Sequence, residues 1–223
     1  MICLVTDRRL LSAGHAGAQR ECLVAQVRHA VDAGVDLVQV RESDLEAGAL
    51  ASLVSQLLAI ARGTPTRIVV NDRIDVALAA GADGVHLRGD SIPVGAARQI
   101  APAAFLIGRS VHGIEEAIAA ADADYLIAGT VFPSASKAAG TPLLGIEGLK
   151  AVVRAVDRPV LAIGGISDER LDAVASAGAA GIAAIGLFMA KGDGQAGGGC
   201  RAVSLRQIVE RARSSFDTLE TSF

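Results

Sequence analysis

Four times along the chain a short turn of small residues runs straight into an aliphatic segment, and this recurring unit restricts the fold more than any other feature. The copies are Ala33-Gly34-Val35-Asp36-Leu37-Val38-Gln39-Val40, Ala80-Gly81-Ala82-Asp83-Gly84-Val85-His86-Leu87, Ala121-Asp122-Ala123-Asp124-Tyr125-Leu126-Ile127-Ala128 and Ala177-Gly178-Ala179-Ala180-Gly181-Ile182-Ala183-Ala184. Gly34, Gly81 and Gly178 suit the left-handed conformation that closes a helix, so each copy reads as a helix end turning into a buried strand. Further aliphatic runs at 2–5, 68–70, 105–107 and 160–163 complete a set of eight candidate strands. Helical spacing of apolar residues predicts helices over 22–33, 47–61, 114–121, 146–156, 169–177 and 203–214, with abbreviated ones at 75–80 and 94–100. Strand and helix alternate throughout, as a parallel sheet of βαβ units requires.

Eight such units in 223 residues fit one closed (β/α)8 TIM barrel of class α/β, with residues 1–223 as a single domain. An open doubly wound sheet is the alternative, but no Gly-x-Gly-x-x-Gly follows the first strand. Aromatic residues make up 3% of the chain and hydrophobic residues 51%, so the core has to be built from Ala, Val, Ile and Leu. Residues 12–18 are small and polar and read as less ordered, and the glycine-dominated 191–199 reads as a flexible loop before the last helix. A net charge of −3 gives no general attraction to nucleic acid or anionic lipid, so an anionic ligand needs a local site. No long apolar segment predicts a membrane span, and three cysteines without C-x-x-C spacing argue against a zinc site or a disulfide framework. A cytoplasmic location is the corresponding expectation.

In a barrel of this kind the chemistry sits where the strands end, because the βα loops gather there. The polar residues that close each run are therefore the candidates: Thr6 and Asp7, Gln39, Arg41 and Glu42, Asn71 and Asp72, His86 and Arg88, Ser110 and His112, and the loop Ser134, Ser136 and Lys137. After strand 7 the chain reads Gly164-Gly165-Ile166-Ser167, and after strand 8 Ile185-Gly186-Leu187. Side-chain-free backbone N–H groups at such a pair of loops can hold a phosphate, although tight turns also call for glycine. Lys137 with the hydroxyls of Ser134 and Ser136 can serve an anion, or be a solvated loop. Asp72 is either a magnesium ligand, with Asp90 as a second carboxylate, or the cap of the short helix that follows. His86, flanked by Val85 and Leu87, reads as a buried, hydrogen-bonded histidine. His112 lies beyond a strand end, where an imidazole can shuttle protons at neutral pH.

These segments resemble the thiamin phosphate synthase and TenI superfamily over almost the whole chain. The resemblance is carried by Gln39-Val40-Arg41-Glu42, Val70-Asn71-Asp72-Arg73-Ile74-Asp75-Val76-Ala77-Leu78, Gly81-Ala82-Asp83-Gly84-Val85-His86-Leu87, Phe132-Pro133, Lys137 and Val160-Leu161-Ala162-Ile163-Gly164-Gly165-Ile166. It implies a thiamin-biosynthesis enzyme acting on a thiazole phosphate or thiamin phosphate, with a homodimer as one compatible assembly. Two branches differ in their residues. The synthase couples a pyrimidine diphosphate to a thiazole phosphate with magnesium; it carries a lysine where this chain has Ser43 and a second magnesium carboxylate where it has Ser91, one residue after Asp90. The TenI branch, thiazole tautomerases that need no metal, resembles this chain in Gly108-Arg109-Ser110-Val111-His112. A serine common to both branches after strand 8 is Gly186 here. On sequence alone these departures tip the expectation toward tautomerisation. His112 is then the acid–base group, the phosphate docks on Gly164, Gly165 and Gly186, and the ring sits under Gln39, Arg41 and Ser110, with Asn71 and Ile185 among the further substrate- or phosphate-binding residues. The synthase, with magnesium on Asp72 and Asp90, is the alternative, and a non-catalytic sensor of thiazole or thiamin phosphates is a third reading.

Overall fold

The computed structural model of the protein describes residues 1–134, 140, 142–189 and 205–217. Eight parallel strands close into a barrel in sequence order: β1 Ile2–Val5, β2 Leu37–Val40, β3 Arg67–Asn71, β4 Gly84–Leu87, β5 Leu106–Val111, β6 Tyr125–Gly129, β7 Val160–Ile163 and β8 Gly181–Ala184. β8 returns to β1 with Ile2 opposite Ile182 and Leu4 opposite Ala184. The helices are α1 Arg8–Leu11, α2 Ala16–Asp32, α3 Ala47–Ala61, α4 Ile74–Ala80, α5 Val94–Ile100, α6 Ile114–Ala119, α7 Gly145–Arg154, α8 Leu171–Ser176 and α9 Leu205–Asp217. Among the described residues no helix is long and apolar enough to cross a membrane.

Because side chains alternate along a strand, one parity of residues fills the barrel and the other packs under the helices. Cys3, Val5, Leu37, Val69, Tyr125, Ile127, Leu161 and Ala183 form the inner cluster, with Leu106, Ile163 and Ile185 packed against it. The other parity, including Leu4, Val38, Val40, Val70, Val85, Leu87 and Ile107, joins the helices in a larger shell. Continuing the inward parity toward the strand C-termini gives Gln39, Asn71, His86 and Ser110. The barrel is therefore apolar below and polar at its upper end, and two-residue periodicity alone builds that floor.

Several differences from the sequence expectation have local causes. α2 begins at Ala16, inside the segment 12–18 read as unstructured, because the His15 imidazole accepts the Ala18 N–H and caps the helix. α1 was not foreseen; it is one turn, started by the Asp7 carboxylate accepting from the Arg9 N–H. β5 runs through Arg109 and Ser110 to Val111, past the end of the aliphatic run, since its neighbours β4 and β6 supply backbone partners there. The buried Cys3 is a free thiol. The glycine-rich loop expected at 191–199 lies outside the described residues.

Candidate active site at the strand C-termini

The polar floor is held together by hydrogen bonds between adjacent strands. Gln39 Nε2 donates to Asn71 Oδ1 at 2.8 Å, bridging β2 and β3. Gln39 is buried, and its Oε1 has no hydrogen-bond partner among the described residues. Since an unmet buried acceptor costs about 1–3 kcal/mol, a ligand or water donor belongs there. Across the floor His86 Nε2 lies 2.8 Å from Ser110 Oγ, and His86 Nδ1 lies 3.2 Å from the Tyr125 hydroxyl. Burial lowers the His86 pKa to about 3, so the ring is neutral at working pH. This bears out the reading of His86 as a buried, hydrogen-bonded histidine.

Beneath the first two loops a charged network fixes the backbone. Glu42 accepts from Thr6 Oγ1 at 2.7 Å and from Arg8 Nη1 at 2.8 Å, and Arg8 grips Asp44 through both terminal nitrogens at 2.8 Å. Thr6 Oγ1 in turn accepts the Arg41 N–H at 2.9 Å. Arg41 thus leaves β2 in a fixed direction, its half-exposed guanidinium 3.9 Å from Asp7. Arg8, Asp44 and Tyr125 were missed from sequence. Parity would have placed Tyr125 inside the barrel, opposite the glycine at 108.

Asp72 does not cap α4, whose N-cap is Arg73 without a side-chain bond. It takes a left-handed φ of 64° and turns toward β4, where its carboxylate accepts from Ser91 Oγ and lies 3.8 Å from Arg88. Asp90 is largely exposed and bound at 2.7 Å to Arg88, the guanidinium that also lies near Asp72. Among the described residues no three His, Cys, Asp or Glu side chains gather into a metal cage. Magnesium needs only one or two protein carboxylates when substrate phosphates complete its shell. The donor set fits that arrangement through Asp72, oriented by the Ser91 hydroxyl.

On the opposite side of the mouth the two glycine loops meet. Gly164 and Gly165 have φ of 101° and 60°, which disfavour any side chain. A Cβ at Gly165 would also fall 2.8 Å from Phe132 Cβ. The N–H groups of both glycines donate to no backbone acceptor among the described residues. Helical structure follows Ser167 close to the expected 169–177, but it opens as a single 3-10 turn, Asp168–Arg170, before α8, so the phosphate-binding capacity rests on loop N–H groups. Gly186 is exposed with open space at its Cβ position, while Ile185 packs inward against the inner cluster. Ser134 stands at the edge of this region; Ser136 and Lys137 lie outside the described residues.

His112 follows β5 with its side chain more than half exposed and Nδ1 3.1 Å from Glu116 Oε2. Burial pushes the Glu116 carboxyl up, but hydrogen bonds from the His112 N–H and imidazole outweigh it and hold it below its usual range. A Cβ on Gly89 would stand 3.5 Å from the imidazole, which places His112 beside the Arg88–Ser91 loop on the Asp72 side of the mouth. The structure thus gathers Gln39, Asn71 and Ser110 in one floor, Asp72 and His112 at one rim, and Gly164 and Gly165 at another. Asp90 joins the Asp72 rim through the shared Arg88 guanidinium.

Residues 2–188 match the family model described as thiamine monophosphate synthase. A thiamine-phosphate synthase from Anaeromyxobacter dehalogenans is 44% identical over 175 residues, 78% of each chain. One from Pyrococcus horikoshii is 38% identical over 210 residues, 93% of each chain. The solved thiamine phosphate pyrophosphorylase from Pyrococcus furiosus superposes with a TM-score of 0.77 at 32% identity, covering 98% of this chain and 96% of that one.

Proposed function

The chain belongs to the thiamine monophosphate synthase family, and from that premise we propose that it couples a pyrimidine diphosphate to a thiazole phosphate, releasing diphosphate. The observation that carries the choice of reaction is the agreement of relatives 37–44% identical, all bearing the synthase name, over the elements that build the site. The alternative named on sequence grounds thereby moves ahead of tautomerisation.

The chain's residues divide the work by position. The Gln39, Asn71 and Ser110 floor orients the flat ring, with Gln39 Oε1 as an acceptor awaiting a ligand donor. The loop N–H groups of Gly164, Gly165 and Gly186 receive the monophosphate of the second substrate. Asp72 holds magnesium, with the Ser91 hydroxyl fixing the carboxylate's orientation. When bound, the ion neutralises charge that accumulates on the departing diphosphate. Arg41 and Arg88 bring further positive charge to the same side. The attacking thiazole nitrogen already carries a lone pair, so the coupling step needs no general base, and His112 serves at the rim rather than at the reacting atoms.

One observation favours the second reading, tautomerisation. Both oxygens of Asp72 are already engaged, by Ser91 and Arg88, and the diphosphate-binding lysine of the synthases is Ser43 here. The test is direct: supply the purified protein with both coupling substrates, with and without magnesium, and measure thiamin phosphate and diphosphate. Their magnesium-dependent formation is the expected result; aromatisation of a thiazole carboxylate phosphate in EDTA, without coupling, would transfer the assignment to the tautomerase.

A further inference from the structure

Inside the barrel Tyr125 on β6, His86 on β4 and Ser110 on β5 form a polar chain of which the reaction above employs only Ser110. We infer that Tyr125 and His86 are positioning residues that fix Ser110 as a hydrogen-bond donor toward the strand C-termini. The floor of the site therefore selects, at that point, a ligand atom with a lone pair and no proton, such as an unprotonated ring nitrogen or an oxygen. The inference rests on the site assignment but not on which of the two reactions runs there.

Donor and acceptor counting leads to it. Tyr125 is buried, and its hydroxyl has one described polar partner, His86 Nδ1 at 3.2 Å. Burial holds the phenol well above its ordinary pKa and the imidazole down to about 3, so both groups are neutral, and the imidazole carries one proton on one nitrogen. If that proton sat on Nδ1, the tyrosine would have to accept it, and its own O–H would be buried without an acceptor. The tautomer with a bare Nδ1 leaves nothing unmet: Tyr125 donates to Nδ1, and Nε2–H donates to Ser110 Oγ at 2.8 Å. Ser110 can take either role, being only half-buried and within reach of water or ligand, so the tyrosine decides. Once Oγ accepts from His86, the serine proton points away from the ring, into the mouth.

The sequence makes room for this relay at one position. Gly108 lies between the two rings, paired with His86 on one side and Tyr125 on the other. A Cβ there would fall 2.2 Å from Tyr125 Cζ and 2.6 Å from His86 Nδ1. Any side chain at 108 would separate donor from acceptor.

The test reads the tautomer itself. The chain has four histidines and one tyrosine, so nitrogen-15 NMR of the histidine-labelled full-length protein, with His86→Gln for assignment, isolates the relevant ring. The protonated Nε2 with a bare Nδ1 is expected, unchanged between pH 6 and 8; a proton on Nδ1 would overturn the inference whatever the protein catalyses. Tyr125→Phe removes the hydroxyl alone. Mixed tautomers in that variant, with a fall in kcat of about tenfold, corresponding to about 1.4 kcal/mol, and inorganic phosphate affinity unchanged, would support the positioning role. An unaltered tautomer in a well-folded Tyr125→Phe protein would reduce Tyr125 to packing. If that variant does not fold, the wild-type spectrum still decides.

Discussion

At the scale of single residues, Gly186 is the cleanest handle on the phosphate, because a side chain there meets open space whereas one at Gly165 would strike Phe132. Gly186→Asp is therefore expected to weaken binding of the thiazole phosphate by at least about tenfold through like-charge repulsion, with little change in melting temperature. Gly186→Ser should tighten binding by adding a donor; titration calorimetry with inorganic phosphate and the two variants measures both effects. His112→Asn is expected to leave coupling within about tenfold of the parent, below the 10²–10⁴-fold that an acid–base group contributes. A larger loss in the coupling assay would return His112 to the reacting atoms. His86 makes a prediction about acid. Its folded-state pKa lies below the unfolded value of about 6.5, so only the unfolded chain takes up a proton as pH falls, and stability declines from about pH 6.5 downward. Between pH 6.5 and 5 that amounts to about 2 kcal/mol, which urea titrations at several pH values would detect and His86→Gln would flatten. Much of the site is legible at this scale: Gln39, Asn71, Ser110 and the glycine pairs all end aliphatic runs. What spacing does not reveal is that Asp72 and Asp90 both reach the Arg88 guanidinium, since that depends on how the two loops turn.

At the scale of elements, parity along the strands explains both the core and the floor, and it reads directly from the sequence once the strands are placed. What composition and periodicity miss are pieces held by side-chain hydrogen bonds: the one-turn α1 started by Asp7, and the entry to α2 capped by His15. The Thr6, Arg8, Glu42 and Asp44 network is a further case, since its partners lie on separate loops and meet only when β1 and β2 pair. Glu42 is almost wholly buried, with burial pushing its carboxyl up against the hydrogen bonds from Thr6 and Arg8. Removing the cation as Arg8→Met should cost about 3–5 kcal/mol, the penalty for stranding a buried charge, whereas the double change with Glu42→Gln should recover part of it. Chemical denaturation of the single and double variants checks the coupling.

At the scale of the whole molecule, closure of the barrel converts eight separate strand ends into one mouth, so residues as distant in sequence as Gln39 and Gly186 lie at the same end of the barrel. The repeated turn-strand units made that closure readable, but not the division of the mouth into a carboxylate rim and a glycine rim, because that depends on which way Asp72 turns after β3. Its left-handed backbone sends the carboxylate toward Ser91, and the account places magnesium there with Asp72 as the protein ligand. The decisive measurement is diphosphate release from the two coupling substrates across a magnesium titration, for the parent protein and for Asp72→Asn. The account predicts magnesium-dependent release by the parent and a loss of at least about 10²-fold in the variant, about 2.7 kcal/mol of barrel-mouth charge stabilisation. No coupling by the parent at any magnesium concentration, or equal rates for the two proteins, would contradict it.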